Sequence, residues 1–261
     1  MVSRVAGIDG YGRGAWVSVI LGSGRFERAV IGKSLDALFP LLGGCSVITI
    51  DIPIGLPDRF PREADLLARS RLGRRGSSVF PTPPRAVLEA PTFAAANEIS
   101  RELTGHGVSL QAFGMRARIF EAERHVRAGQ NLVEVHPEVS FAVLAGEPLA
   151  WPKDSWRGAP ARRELLRQAG VLIPSQLAAA DFVPVADILD AAVAAWSAQR
   201  ISEGDYLSLP DPPQIHSCGR SAATRGGCWG TGCERLSGPI AVTGRIRIVT
   251  ETRVMAERRL H

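Results

Sequence analysis

Val47-Ile48-Thr49-Ile50-Asp51, running into Ile52-Pro53-Ile54-Gly55, decides the fold. Four apolar or β-branched residues in a row read as a buried strand. The strand finishes on an acid, and Pro53, Gly55 and Pro57 then stop regular structure. The same pattern opens the chain, where Val5-Ala6-Gly7-Ile8-Asp9 leads into Gly10. Between these two runs, Ala15–Leu21 and Phe26–Ile31 read as strands, with Gly22-Ser23-Gly24 as a hairpin signal. Ser34 is placed to cap a short helix over 35–42, which Gly43-Gly44 ends.

Beyond Pro57 the pattern turns helical. Helices are expected at 61–72, 91–103 and 111–128, with an irregular Gly/Ser/Pro/Arg stretch at 73–84. Asn131–Val135 reads as a further strand, with helices expected at 139–144 and 161–169. The last helix is expected from Pro184 to about Ser202, with Ile188, Leu189, Ala192, Val193 and Trp196 on one apolar face. A three-strand meander followed by helix-separated strands argues for a mixed α/β sheet with a parallel part. Residues 57–130 are then a helical insertion on that core.

At 261 residues, 45% hydrophobic and 22% charged, the chain has ordinary globular composition. A chain of that length buries a large core without disulfide staples. No apolar run reaches the roughly 18 residues of a spanning helix, and Met1-Val2-Ser3-Arg4 leads straight into a strand. The expectation is a soluble, cytoplasmic protein with neither signal peptide nor membrane partner. The net charge of +5 is concentrated towards the C-terminus. Residues 211–261 lose the earlier periodicity, and within them only 240–249 reads as a strand. The expected organisation is a domain over 1–210 and an atypical tail over 211–261, disordered in part or forming an edge strand. His216, Cys218, Cys228 and Cys233 lack a Cys-x-x-Cys knuckle and make a weak zinc signal.

Asp9 and Asp51 each close a buried strand, and in open α/β sheets sites form beyond the carboxyl ends of strands. Two carboxylates on neighbouring strands repel unless protonated or bridged by a hard cation with oxygen ligands. The alternative is that each Asp caps its own turn. Asp187 and Asp190 share a face of the last helix. The helix dipole accounts for Asp187 in the first turn but poorly for Asp190. Ala191-Ala192 beside it would let that helix lie close to the sheet. In Glu134-Val135-His136-Pro137-Glu138 a strand would put Glu134, His136 and Glu138 on one face, either a cleft or a solvated edge. His136 is a candidate acid/base group.

Five segments in order, Gly7-Ile-Asp-Gly10 with Trp16, Asp51-Ile-Pro-Ile-Gly-Leu-Pro57, Ala68-Arg-x-x-Leu-Gly73 with Ser77-Ser78-Val79-Phe80, Glu134-Val-His-Pro-Glu-Val-Ser-Phe141 and Asp187-Ile-Leu-Asp-Ala191, resemble the family called domain of unknown function 429, described as predicted RNase H-like nucleases. The resemblance covers about residues 4–210. It implies an RNase H-like five-stranded sheet, with strands 1–3 antiparallel, strands 4 and 5 parallel to strand 1, and the insertion between strands 4 and 5. Asp9 and Asp51 would then be neighbours, joined by Asp190 or Asp187, with Asp9, Asp51 and Asp190 as the first-choice ligands of Mg²⁺ or Mn²⁺. The implied activity is metal-dependent hydrolysis of phosphodiesters in RNA or DNA, with Glu134 and His136 as further catalytic candidates. Arg69, Arg74, Arg75 and Arg85, with Ser77 and Ser78, would grip phosphates. In the family the last helix opens on paired acids, whereas here the first position is Ala186, and the tail beyond 210 does not follow the family's ending. An actin-like phosphotransferase or ATPase and a non-catalytic nucleic-acid-binding module are the alternatives. The sequence leaves oligomeric state open.

Overall fold

A computed structural model describes residues 3–57, 60–215 and 245–249. Its centre is a five-stranded mixed sheet of order β3-β2-β1-β4-β5. The strands are β1 (Arg4–Tyr11), β2 (Ala15–Gly22), β3 (Arg25–Gly32), β4 (Cys45–Ile50) and β5 (Leu132–Glu134). β1–β2 and β2–β3 pair antiparallel, while β4 runs parallel to β1 and β5 parallel to β4. The directions, and the pairing of β1 with β4, are those expected of the RNase H-like sheet. A short helix α1 (Leu35–Leu38), capped by the Ser34 side chain, crosses from β3 to β4.

The insertion between β4 and β5 carries α2 (Glu63–Leu72), α3 (Arg85–Leu88), α4 (Phe93–Thr104), α5 (Leu110–Gly114) and α6 (Arg116–Arg127). The single helix expected over 111–128 is two, broken at Met115, which caps one helix and opens the next. After β5 come α7 (Pro137–Ala145), α8 (Gly158–Gln168) and α9 (Val185–Ser202). A second, two-stranded sheet pairs β6 (Ser208–Ile215) with β7 (Arg245–Val249) antiparallel. β7 lies within the strand expected over 240–249, and β6 runs across the expected boundary at 210. The rest of the expected tail, including His216 and the three tail cysteines, lies outside the described residues. Among the described residues no helix is long and apolar enough to cross a membrane.

Alternation along the strands separates two cores. Val5, Val17, Val19, Val47 and Val133 meet α9 and its neighbours α7 and α8. Ala6, Ile8, Trp16, Ile20 and Ile50 meet α1 and α6 on the opposite face. α9 is more enclosed than its expected single apolar face, because it is buried around nearly its whole circumference between the sheet and α7 and α8. It reaches the sheet through Ala191, Ala194 and Ala195. A Cβ built on Gly7 of β1 would lie 2.0 Å from Ala195 N and 2.3 Å from the Ala191 carbonyl oxygen. The Thr49 hydroxyl of β4 donates to the Ala194 carbonyl at 2.7 Å, fixing the helix against the same strands.

Gly7→Ala is therefore expected to force α9 off the sheet. The clash is with backbone, which cannot rotate aside, so the cost is about 3 kcal/mol or more. Urea unfolding of the purified variant measures it, and wild-type stability in Gly7→Ala would contradict the packing described.

Candidate active site

Asp9 and Asp51 meet because β1 and β4 are parallel neighbours in register. Ile8 pairs with Ile50, and the Asp51 amide continues the ladder to the Ile8 carbonyl at 3.0 Å. Each acid is two residues beyond a residue that faces α9, Gly7 in β1 and Thr49 in β4, so both carboxylates leave the sheet on the α9 side. Asp190, in the second turn of α9 and only 2% exposed, comes from that side to meet them. One Asp9 oxygen accepts from the Gly10 amide at 2.7 Å, the turn-capping bond weighed as the alternative for a lone Asp. Asp190 Oδ2 accepts from Lys153 Nζ at 2.5 Å, while Asp190 Oδ1 is buried with no hydrogen-bond partner.

The electrostatics follow from this crowding. Burial, followed by the charges of Asp51 and Asp190, raises Asp9 well above the usual carboxylate range. Burial and the Asp190 charge push Asp51 up to about 8. Burial raises Asp190 to about 6 against the opposing pull of Lys153. Asp187, one turn earlier and half-buried, is raised by burial and acts on Asp9. The three central carboxylates are not a closed chelate. Among the described residues, the one group of three such side chains with ligand atoms all within 4.8 Å of one another is Asp36, Glu121 and His125, elsewhere in the molecule. There both Glu121 oxygens already accept from the Trp16 indole and the Leu35 amide, and Asp36 pairs with Arg124, so that group clamps α1 to α6.

A cavity of about 310 Å³ opens over Asp51 and Asp190 and is lined by Arg75, Ser78, His136, Glu138 and Lys153 among others. Asp9 is not on its wall but is buried alongside. His136 is on the wall, as the N-cap residue of α7 rather than a strand residue. Burial pulls its pKa down to about 4, so the ring is neutral at pH 7. It hydrogen-bonds to the Ser78 backbone, leaving Nδ1 without a partner.

Glu134 is placed differently. Its neighbours Val133 and Val135 face α9, so Glu134 points to the other side of the sheet. There it is bound by Arg62, whose Nη1 and Nη2 donate to its two oxygens at 2.9 and 2.6 Å, and by the Ile54 amide. Arg62 also donates to Asp65 from Nε and Nη2, and the second Asp65 oxygen accepts from the Thr82 amide. Glu138 opens the first turn of α7 and is held by the fully buried Arg162 at 2.5 Å. The strand that would align Glu134, His136 and Glu138 ends at Glu134, because Pro137 starts the helix.

Of the arginines and serines expected to grip phosphates, Arg75 and Ser78 line the cavity. Arg74 and Ser77 are exposed nearby in the helical turn 73–78. Arg69 donates to the Val79 carbonyl at 2.6 Å, and Arg85 is paired with Glu123 and Glu89 within the insertion. Sequence reasoning passed over Lys153, Arg62 and Asp65. The one signal for Lys153 was that the chain has two lysines, Lys33 and Lys153, among its 31 basic residues.

A family model described as "Protein of unknown function (DUF429)" matches residues 7–215. The chain belongs to this family. No curated protein and no solved structure matches it.

Two measurements test this description. Arg62→Met strands Asp65 and Glu134 without their shared cation and is expected to destabilise the fold by about 3–5 kcal/mol in urea. The second concerns pH. Asp51 has a folded-state pKa raised above its unfolded value, so its contribution to stability is present at low pH and lost as pH rises towards about 8. His136 opposes this only below about pH 6.5, where its unfolded ring protonates. In EDTA, Tm should therefore fall between pH 6.5 and 8, and Asp51→Asn should flatten the fall. An equal slope in wild type and variant would contradict the raised Asp51 pKa.

Proposed function

We propose that this protein is a metal-dependent hydrolase that cleaves phosphodiester bonds in nucleic acid. The observation carrying this reading is that Asp9, Asp51 and Asp190, distant in sequence, converge at the carboxyl ends of β1 and β4 without an arginine hydrogen-bonded to them among the described residues. Every other acid at this end of the sheet that is fully buried, Asp65, Glu134 and Glu138, has an arginine. Three clustered carboxylates that share one ammonium, with Asp190 Oδ1 lacking any partner, suit a hard divalent cation. Asp9, Asp51 and Asp190 are the residues that would hold Mg²⁺ or Mn²⁺. Their ligand atoms do not all lie within 4.8 Å of one another, so a cation would have to draw them together.

Bound there, the ion would supply Lewis acidity at a phosphoryl oxygen and make water more acidic. The protein's own groups supply the rest. Arg75 and Ser78 on the cavity wall orient a phosphate. His136, neutral at pH 7, forms an uncharged part of the wall held to the Ser78 backbone; its Nδ1 is buried and its pKa is pulled down to about 4, which makes it a weak proton acceptor. Arg62, Asp65 and Glu134 hold the cavity floor and take no part in proton transfer. Asp187, less buried, adds a further negative charge that opposes ionisation of Asp9 and would favour a bound cation. Glu134 thus keeps a place near the chemistry as a fixed anchor for Arg62.

The test is cleavage of labelled RNA, DNA and hybrid oligonucleotides with Mn²⁺ or Mg²⁺. Wild type should cut at least one of them, EDTA should stop it, and Asp9→Asn and Asp51→Asn should reduce it to background while both variants remain folded. Unchanged cleavage by either variant, or nucleotide hydrolysis with no cleavage of any oligonucleotide, would overturn the reading.

A further inference from the structure

We propose that Lys153 is a fixed cation of the acidic cluster, standing where a second divalent ion would otherwise neutralise Asp190, so that the substrate-free site holds one Mg²⁺ or Mn²⁺ per chain. The inference rests on the metal-binding reading above and specifies its stoichiometry.

Three observations carry it. First, the ammonium is in contact with the cluster, with Nζ 2.5 Å from Asp190 Oδ2, and its residue lines the same cavity as Asp51. One of the two oxygens that Asp190 could offer to metal is thus already taken by a cation.

Second, the loop that carries Lys153 is built to hold it there. The Ser155 hydroxyl and amide both donate to the Pro152 carbonyl, at 2.7 and 3.1 Å, closing a turn around Lys153. The Gly158 amide donates to the Ser155 hydroxyl, and a Cβ on Gly158 would lie 1.8 Å from the Pro152 oxygen. On the other side of Pro152, the buried Arg162 donates to the Trp151 carbonyl at 3.0 Å, with its other terminal nitrogen on Glu138. The Arg157 guanidinium stacks over the Trp151 ring. A flexible surface lysine would have none of these constraints on its backbone.

Third, the residue type is unusual for this chain, which otherwise uses arginine almost throughout. A compact ammonium places a point charge at one oxygen, whereas a planar guanidinium spans two and would displace a metal from the carboxylate altogether. Charge balance agrees. Once ionised around a metal, Asp9, Asp51 and Asp190 are matched by one ammonium and one divalent ion, and a second divalent ion would exceed what these three and the half-buried Asp187 can balance.

The experiment is calorimetric titration of the metal-free, full-length protein with Mn²⁺ in the absence of substrate. Wild type should bind one Mn²⁺ per chain. Lys153→Met, and Lys153→Gln as a second neutral variant with a polar head, should each bind two, the stoichiometry doubling while circular dichroism stays that of wild type. Two ions in wild type, or one in both neutral variants, would overturn the proposal while leaving the metal site standing. No Mn²⁺ heat in wild type, with Asp51→Asn indistinguishable from it, would instead overturn the metal-binding reading itself and this inference with it.

Discussion

The approach of α9 to the first strand governs the arrangement of this molecule. Helix and sheet come together at Gly7, where the helix backbone occupies the volume a side chain would need. Ala191, Ala194 and Ala195 add no bulk on the other side, and Thr49 ties the helix to β4 through the Ala194 carbonyl. The depth of this contact determines what Asp190 does. A helix standing at an ordinary distance would leave its second turn above the strand ends, with its carboxylate hydrated. Pressed in, it delivers Asp190 beside two strand-terminal carboxylates, burying Asp9 and Asp190 and leaving Asp51 on the cavity wall. The desolvation and the repulsion both oppose folding, and they are sustained by the apolar burial of the rest of α9.

The acids at this end of the sheet fall into two physical classes. Asp65 and Glu134 share Arg62 through four hydrogen bonds, and Glu138 has Arg162. These groups are buried charges made tolerable by paired, geometrically matched cations. They join α2 to β5 and α8 to α7 around the cavity. Among the described residues, Asp9, Asp51 and Asp190 have the Gly10 amide, each other and one ammonium, and no guanidinium is hydrogen-bonded to them. The difference is one of residue placement rather than of burial, since Glu134 and Asp190 are both almost wholly buried. At this end of the sheet the acids without an arginine therefore lie together, beside acids that have one.

How far this was legible in the sequence depends on the range of each interaction. The sheet was readable because each strand is a short local run, and the acids at Asp9 and Asp51 stand out at the ends of such runs. The inward face of the last helix was readable because Asp190 precedes alanines. The orientation of Glu134 was not, since a three-residue strand gives too little alternation to set the face before Pro137 opens a helix. Nor was the role of Arg62, one of many arginines in its segment, distinguished only by partners at Asp65 and Glu134 that the fold brings to it. The break at Met115 was hidden in a continuous helical pattern. β6 was hidden by its prolines, which an edge strand tolerates where a central one does not. Lys153 lies in a loop without periodicity, so rarity of type was the only trace it left.

The Arg-rich insertion acquires a different meaning in this light. Its composition suggested a surface for phosphates, yet Arg62, Arg69 and Arg85 are committed to internal acids and carbonyls, and Arg75 is the one of its four phosphate candidates that is on the cavity wall. Internal use of arginine is what a site of this kind requires. A guanidinium satisfies several acceptors in one plane and keeps its charge at any working pH, so it can neutralise a buried acid permanently. A cation meant to share a carboxylate with an incoming metal must leave one oxygen open. That requirement separates Lys153 from the arginines around it, and it accounts for a lysine at this position in a chain that scarcely uses them.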